Sequence, residues 1–129
     1  MKIRDAAEKT DLTEKTIRYY EDIGLVVPCR RSNGYRDFSE QDVHKLNFLS
    51  RARKLGFSVD DCRQLLSLYS DRKRASKDVK RIAEAHLHEI EVKINELSKM
   101  QETLQFLVTN CKGNDRPDCP IINDLAGKL

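Results

Sequence analysis

The sequence has no tryptophan, its aromatic residues amount to 6 %, and it holds only five glycines and three prolines. So few ring systems and turn formers exclude a turn-rich β architecture and leave a helical protein with modest cores. No apolar run is long enough for a signal peptide or a transmembrane helix, so the expectation is a cytoplasmic protein with no membrane partner. No nucleophile–base constellation and no Gly-rich phosphate-binding loop can be found, and the chain is therefore not expected to be an enzyme. A length of 129 residues gives room for one small domain and an appendage.

What the chain does have is charge. Asp, Glu, Lys and Arg make up 35 % of it, with a net charge of +3. The distribution is more telling than the sum. Residues 1–74 carry 16 basic against 12 acidic side chains, whereas residues 75–129 carry 8 against 9. A positive excess confined to the first half points to an acidic partner there, nucleic acid being the first candidate.

Four cysteines are present, and two of them, Cys111 and Cys119, close the stretch Cys-Lys-Gly-Asn-Asp-Arg-Pro-Asp-Cys, followed by Pro120. Gly, Asn, Asp and Pro between them describe a short closed loop. Thiolates are soft ligands that select soft metals such as Cu(I). Two ligands are too few for a structural zinc site, which takes four. The pair therefore suits a metal that accepts linear, two-coordinate sulfur ligation. A redox-active pair and two inert thiols remain open alternatives; a reducing compartment disfavours a structural disulfide. Cys62 falls on an apolar helical stripe and reads as a small core residue. Cys29 follows Pro28 in a loop and has no assigned role.

Along the chain, residues 3–9 read as a helix with Ile3, Ala6 and Ala7 inward, and Asp11-Leu12 as a turn. Thr13 is placed to cap a second helix that runs to about Ile23 and stops at Gly24. On that helix Lys15, Arg18 and Asp22 share one side, and Ile17, Tyr20 and Ile23 the other. Two short helices joined by a tight turn are the pattern of a helix-turn-helix, and a basic face suits the DNA major groove. Asn33-Gly34 is a strong signal for a two-residue hairpin turn, because both residues accept positive φ, and the flanking Val26, Val27, Tyr35 and Phe38 suit short strands. Arg30, Arg31 and Arg36 load this hairpin, which reads as a phosphate-gripping wing.

Ser39 to Asp42 resembles a capping box opening a helix with Val43, Leu46, Phe48, Leu49 and Ala52. Gly56-Phe57 breaks it, and Ser58 caps a further helix bearing Val59, Cys62, Leu65, Leu66 and Tyr69. Asp71 to Arg74 is a polar break. Ser76 then stands as the cap of a long helix, roughly 77 to 109. Ala83, Leu87, Ile90, Ile94, Leu97, Gln101, Leu104 and Val108 alternate four and three apart, a sustained heptad seam. Nothing else in the chain is long enough to cover it, so a second copy is the natural partner. His86 and His88 read as surface or seam residues.

The run Thr13-Glu14-Lys15-Thr16-Ile17-Arg18-Tyr19-Tyr20-Glu21-Asp22-Ile23-Gly24-Leu25 resembles the signature of the MerR family of transcriptional regulators. Asn33-Gly34-Tyr35-Arg36 and Ala52-Arg53-Lys54-Leu55-Gly56-Phe57 extend the match, and the terminal loop is most similar to the copper-efflux branch. The resemblance implies a mainly α fold: a winged helix-turn-helix DNA-binding domain (1–74), a dimerisation helix pairing as an antiparallel coiled coil (75–109), and a metal-binding loop with the C-terminal segment (110–129). It implies a homodimer on double-stranded promoter DNA that lets RNA polymerase engage through DNA distortion when Cu(I), Ag(I) or Au(I) is bound. By matching positions, Lys15, Arg18 and Tyr20 would contact DNA, and Arg31, Tyr35 and Arg36 would hold phosphates. Cys111 and Cys119 match the metal ligands. Ser76 matches the position that separates monovalent from divalent sensors. Two departures stand out: Asp11 occupies a turn position where many relatives carry glycine, and the chain lacks a Cys/His-rich tail.

Three functions are compatible with this reading: a monovalent-metal-responsive activator, the same DNA-binding dimer with a thiol–disulfide redox switch, and a structural DNA-binding protein. An iron–sulfur sensor would need four clustered cysteines, and this loop has two.

Overall fold

The computed structural model describes residues 1–127, which fall in two compact units, Met1–Ile82 and the described residues from Ala83 onward. The architecture is mainly α with one two-stranded antiparallel hairpin.

In the first unit, α1 (Ile3–Thr10) and α2 (Glu14–Asp22) form the helix-turn-helix. The turn between them hinges on Asp11, at φ 56° the one non-glycine residue with positive φ among those described. An L-residue in the left-handed region costs about 1–2 kcal/mol, less for Asp than for most. Lys54 Nζ donates to Asp11 Oδ2 at 3.0 Å, an exposed pair that offsets part of this cost. Asp11→Gly is expected to stabilise the chain by about 0.5–1 kcal/mol. Urea melts at matched protomer concentration check this; an unchanged or lower midpoint would mean that the Lys54 contact outweighs the backbone cost.

The start of α2 follows from Thr13, whose Oγ1 accepts from the Thr16 N–H at 3.0 Å. Its end is a Schellman closure around Gly24 (φ 77°), with Leu25 N–H donating to Tyr20 O at 2.9 Å and Gly24 N–H to Glu21 O at 3.0 Å. Leu25 thereby folds back into the core. The same closure ends α3 (Glu40–Lys54): Phe57 N–H reaches Ala52 O and Gly56 N–H reaches Arg53 O. At its other end α3 opens with a complete Ser39–Asp42 capping box. Helix α4 (Val59–Ser70) is capped by Ser58, whose hydroxyl accepts from Asp61 N–H. The core gathers Ala6, Ile17, Tyr20, Val26, Phe38, Leu46, Leu49, Cys62 and Leu66. Cys62 is fully buried there, as a small core residue.

The hairpin differs from the expectation. Its strands are short, β1 (Cys29–Arg30) and β2 (Arg36–Asp37), with Cys29 opposite Asp37 and Arg30 opposite Arg36. Val26 sits in the core and Val27 is exposed, both outside the ladder. Asn33 does not take positive φ; Gly34 does, at 85°. Arg31 N–H donates to Tyr35 O, and Gly34 N–H to Arg31 O, so the loop is a turn over Arg31–Gly34 with glycine in the left-handed position. The Asn33 side chain supplies the reason: its Oδ1 accepts from Tyr35 N–H at 3.2 Å, a local bond that competes with the two-residue turn.

Helix α5 (Ser76–Asn110) begins in the first unit and runs into the second; at 35 residues it is about 52 Å long. Ser76 is its first helical residue rather than the cap before it, a shift of one position. In the second unit Leu107 is the buried residue of α5. Leu87, Ile94, Leu97, Leu104 and Val108 of the seam are each between 54 and 62 % exposed in the single chain. Helix α6 (Pro120–Leu125) closes the unit. No helix among the described residues is long and apolar enough to cross a membrane.

Candidate nucleic-acid interface and thiolate pair

The start of α1, the outer face of α2 and the hairpin enclose a groove of about 690 Å³. Five cationic side chains line it, Lys2, Arg4, Arg18, Arg31 and Arg36, against the single carboxylate of Glu14. Three of the five were singled out in the sequence. Lys2 and Arg4 were not, because nothing local marks them; only the fold brings the first residues beside the hairpin. Tyr35 also lines the groove and is 69 % exposed. Lys15 is exposed on α2 outside the lining.

The cations differ in how far they are committed. Arg18 is half-exposed and sits 4.0 Å from Glu14, and Arg31 lies 3.7 Å from Asp37. Such exposed pairs contribute little, so neither arginine is tightly committed to its carboxylate. Arg36 is more tightly held: its Nε donates to Glu21 Oε2, and Arg30 donates to Glu21 Oε1 at 3.0 Å. Glu21, largely buried on α2, therefore braces both strands of the hairpin against that helix. Phe38 N–H donates to the Met1 carbonyl at 2.8 Å, which ties the chain start to the same hairpin. The N-terminal ammonium, hydrogen-bonded to Asp37, holds that carboxyl below its usual range.

Tyr20 lies on the inner face of α2 and is 4 % exposed. Burial pushes its phenol pKa up, while the neighbouring Arg53 guanidinium pulls the other way. Burial likewise raises the Cys62 thiol, beside the same arginine. Arg53 in turn donates to Phe57 O at 2.7 Å. The structure thus makes Tyr20 a core residue that ties α2 to the end of α3.

In the second unit, Cys111 follows the last turn of α5 and Cys119 immediately precedes α6. The loop between them turns at Gly113 (φ 62°), and Asn114 Oδ1 accepts from Arg116 N–H at 3.0 Å. The two Sγ atoms are 3.5 Å apart and both residues are half-buried. The backbone N–H of Ile122, with the Cys111 thiol and the Ile121 N–H adding to it, holds the Cys119 thiol below its ordinary pKa against a small opposing burial effect. A thiol poised towards thiolate is the ligand form. Among the described residues no group of three or more His, Cys, Asp or Glu side chains could hold a metal ion. As thiolates, Cys111 and Cys119 would hold a soft metal ion between them, which would supply the two-coordinate sulfur ligation such ions accept. His86 lies 3.9 Å from Glu89 and His88 is exposed.

A family model for the MerR HTH family regulatory proteins matches residues 1–68, and a second, for MerR DNA binding, matches residues 43–107. The HTH-type transcriptional regulator HmrR of Rhizobium leguminosarum bv. viciae is 59 % identical over 126 residues, covering 98 % of each chain. The HTH-type transcriptional regulator CueR of Salmonella typhimurium is 44 % identical over 128 residues, covering 98 % of this chain and 93 % of that one. Among solved structures, the transcription regulator PbrR691 from Ralstonia metallidurans CH34, in complex with lead(II), superposes with a TM-score of 0.84 at 30 % identity, covering 97 % of this chain and 98 % of that one.

Proposed function

The chain belongs to the MerR family of helix-turn-helix regulators, and on that premise we propose that it is a cytoplasmic activator responding to Cu(I), Ag(I) or Au(I). The observation that carries this reading is the pair of facing thiols, Cys111 and Cys119, with no third His, Cys, Asp or Glu gathered around them among the described residues. Soft thiolates and a coordination number of two suit a soft monovalent ion and leave a divalent one short of ligands. Ser76, in place of a third thiolate, supports the same choice.

In this reading residues 1–74 bind the operator, 75–109 pair two copies as an antiparallel coiled coil, and 110–129 sense the metal. Arg18 and Lys15 face the bases and phosphates of the major groove. Arg31 and Tyr35 grip the backbone beside it, while Arg36, braced by Glu21, fixes the angle of the wing. Tyr20 acts as the packing support of the recognition helix. Occupied and empty cysteine loops favour different states of the dimer, and the two winged domains bend and untwist the promoter differently in each. RNA polymerase then engages both promoter elements only in the occupied state.

An anaerobic titration of the reduced dimer with Cu(I), followed by thiolate-to-metal absorption, tests the reading. One Cu(I) per protomer that excess Zn(II) does not displace is the expected result; a preference for Zn(II) would sink it. A thiol–disulfide switch is the second reading, favoured by the 3.5 Å sulfur approach. It requires operator binding to respond to oxidant with no metal present.

Pairing has its own test. Ile94→Glu with Leu97→Glu places four charges in the seam of a dimer, each replacing an apolar side chain worth about 1.5–3 kcal/mol of burial. Sedimentation should show monomer at concentrations where the parent is dimeric. An unchanged dimer would mean that pairing uses another face.

A further inference from the structure

A second basic recess lies in the first unit and takes no part in the interface described above. It has a volume of about 540 Å³ and is lined by Lys9 of α1, His44, Asn47, Phe48 and Arg51 of α3, and Tyr69 of α4. Residues 44, 47, 48 and 51 fall at helical spacing on one face of α3, so its floor is a single stripe. Phe48 and Tyr69 form one wall, their ring centroids 5.2 Å apart, and Tyr69 is 48 % exposed. His44 lies 4.0 Å from Glu40. Among the described residues neither Lys9 nor Arg51 has a carboxylate within ion-pair distance. Two unneutralised cations flanking an exposed tyrosine form the kind of surface that holds an anionic, partly apolar ligand.

We propose that this recess between α1, α3 and α4 docks an acidic peptide segment of the transcription machinery, with Lys9 and Arg51 meeting its carboxylates and Tyr69 its apolar side chains. The inference rests on the promoter-binding reading above and assigns a protein-contacting surface to it. Orientation favours a peptide over the duplex. Arg4, which lines the DNA groove, and Lys9, which lines the recess, are five residues apart on α1. At 100° per residue they point about 140° apart, so the recess turns away from DNA held against α2 and the wing.

The test uses the full-length dimer carrying Lys9→Glu and Arg51→Glu, with Lys9→Gln and Arg51→Gln as a milder pair should the reversal unfold. Operator affinity is read by fluorescence anisotropy, and activation by transcription with purified bacterial RNA polymerase holoenzyme in the presence of Cu(I). Operator affinity is expected to stay within about twofold, while activated transcript falls about tenfold or more, since like charges facing an acidic segment repel it. A photo-crosslinker in place of Tyr69 should then label an acidic segment of the polymerase within the promoter complex. Unchanged transcription, an equal loss of operator affinity, or a crosslink to DNA would each overturn the proposal. Failure of the parent protein itself to bind its operator would show instead that the functional reading beneath it is wrong.

Discussion

Replacing Cys111 and Cys119 by serine should abolish tight Cu(I) binding and the promoter response together, while leaving operator affinity intact. A hydroxyl is a hard ligand, and each lost thiolate is expected to weaken binding by on the order of 1,000-fold, about 4 kcal/mol. Competition against a Cu(I) chelator reads the loss, and transcription from the operator reads the response. The cysteines sit in the second unit and the basic groove in the first, so the unliganded variant should still bind DNA as the unliganded parent does. Retention of tight Cu(I) binding by either single variant would remove the two-thiolate site. Regulation that persisted in the double variant would leave the protein a DNA-binding dimer without a ligand.

Arg18→Ala is expected to weaken operator binding by roughly 10- to 100-fold, the about 1–3 kcal/mol of a base-edge arginine. The side chain is half-exposed, its one ion pair among the described residues is the 4.0 Å contact with Glu14, and it lies in a groove with four further cations. Two finer outcomes separate its roles. A base contact relaxes specificity at one operator position, whereas a phosphate contact weakens all sequences alike and lowers the salt slope by about one. Operator affinity that survived the change would mean that the groove does not face DNA.

The parts of the fold that were legible in the sequence are those governed by neighbours within four residues. Thr13, Ser39 and Ser58 all cap the helices that follow them, and Gly24 and Gly56 both close helices in Schellman turns. Periodicity placed Ile17 and Tyr20 inward on α2, where both are buried. Asn33-Gly34 marked the hairpin but not its turn, because the Asn33 side chain bonds to Tyr35 rather than leaving the dipeptide to set the backbone. Longer-range features were not legible. The Glu21 brace joins residues nine and fifteen positions apart, and no local pattern distinguishes it from an ordinary solvated charge. Arg36 and Arg31 are alike as letters; only the fold shows one braced and the other available. The approach of Cys111 to Cys119 was suggested by loop composition, whereas the amides of Ile122 and Ile121 beside Cys119 depend on α6 turning back at Pro120.

The bare apolar edge of α5 also bears on the abundance of the protein. A subunit synthesised alone carries a row of half-exposed leucine and isoleucine side chains along a helix with little packed against it, the kind of segment that quality-control proteases engage. Pairing hides that row, and pairing depends on concentration. Survival of the subunit is thereby expected to depend on its own dosage: newly made chains that find no mate should be cleared faster than those that pair. Half-life, measured against expression level, should lengthen as expression rises, so that abundance climbs more steeply than synthesis, a threshold set by the same helix that pairs the two copies.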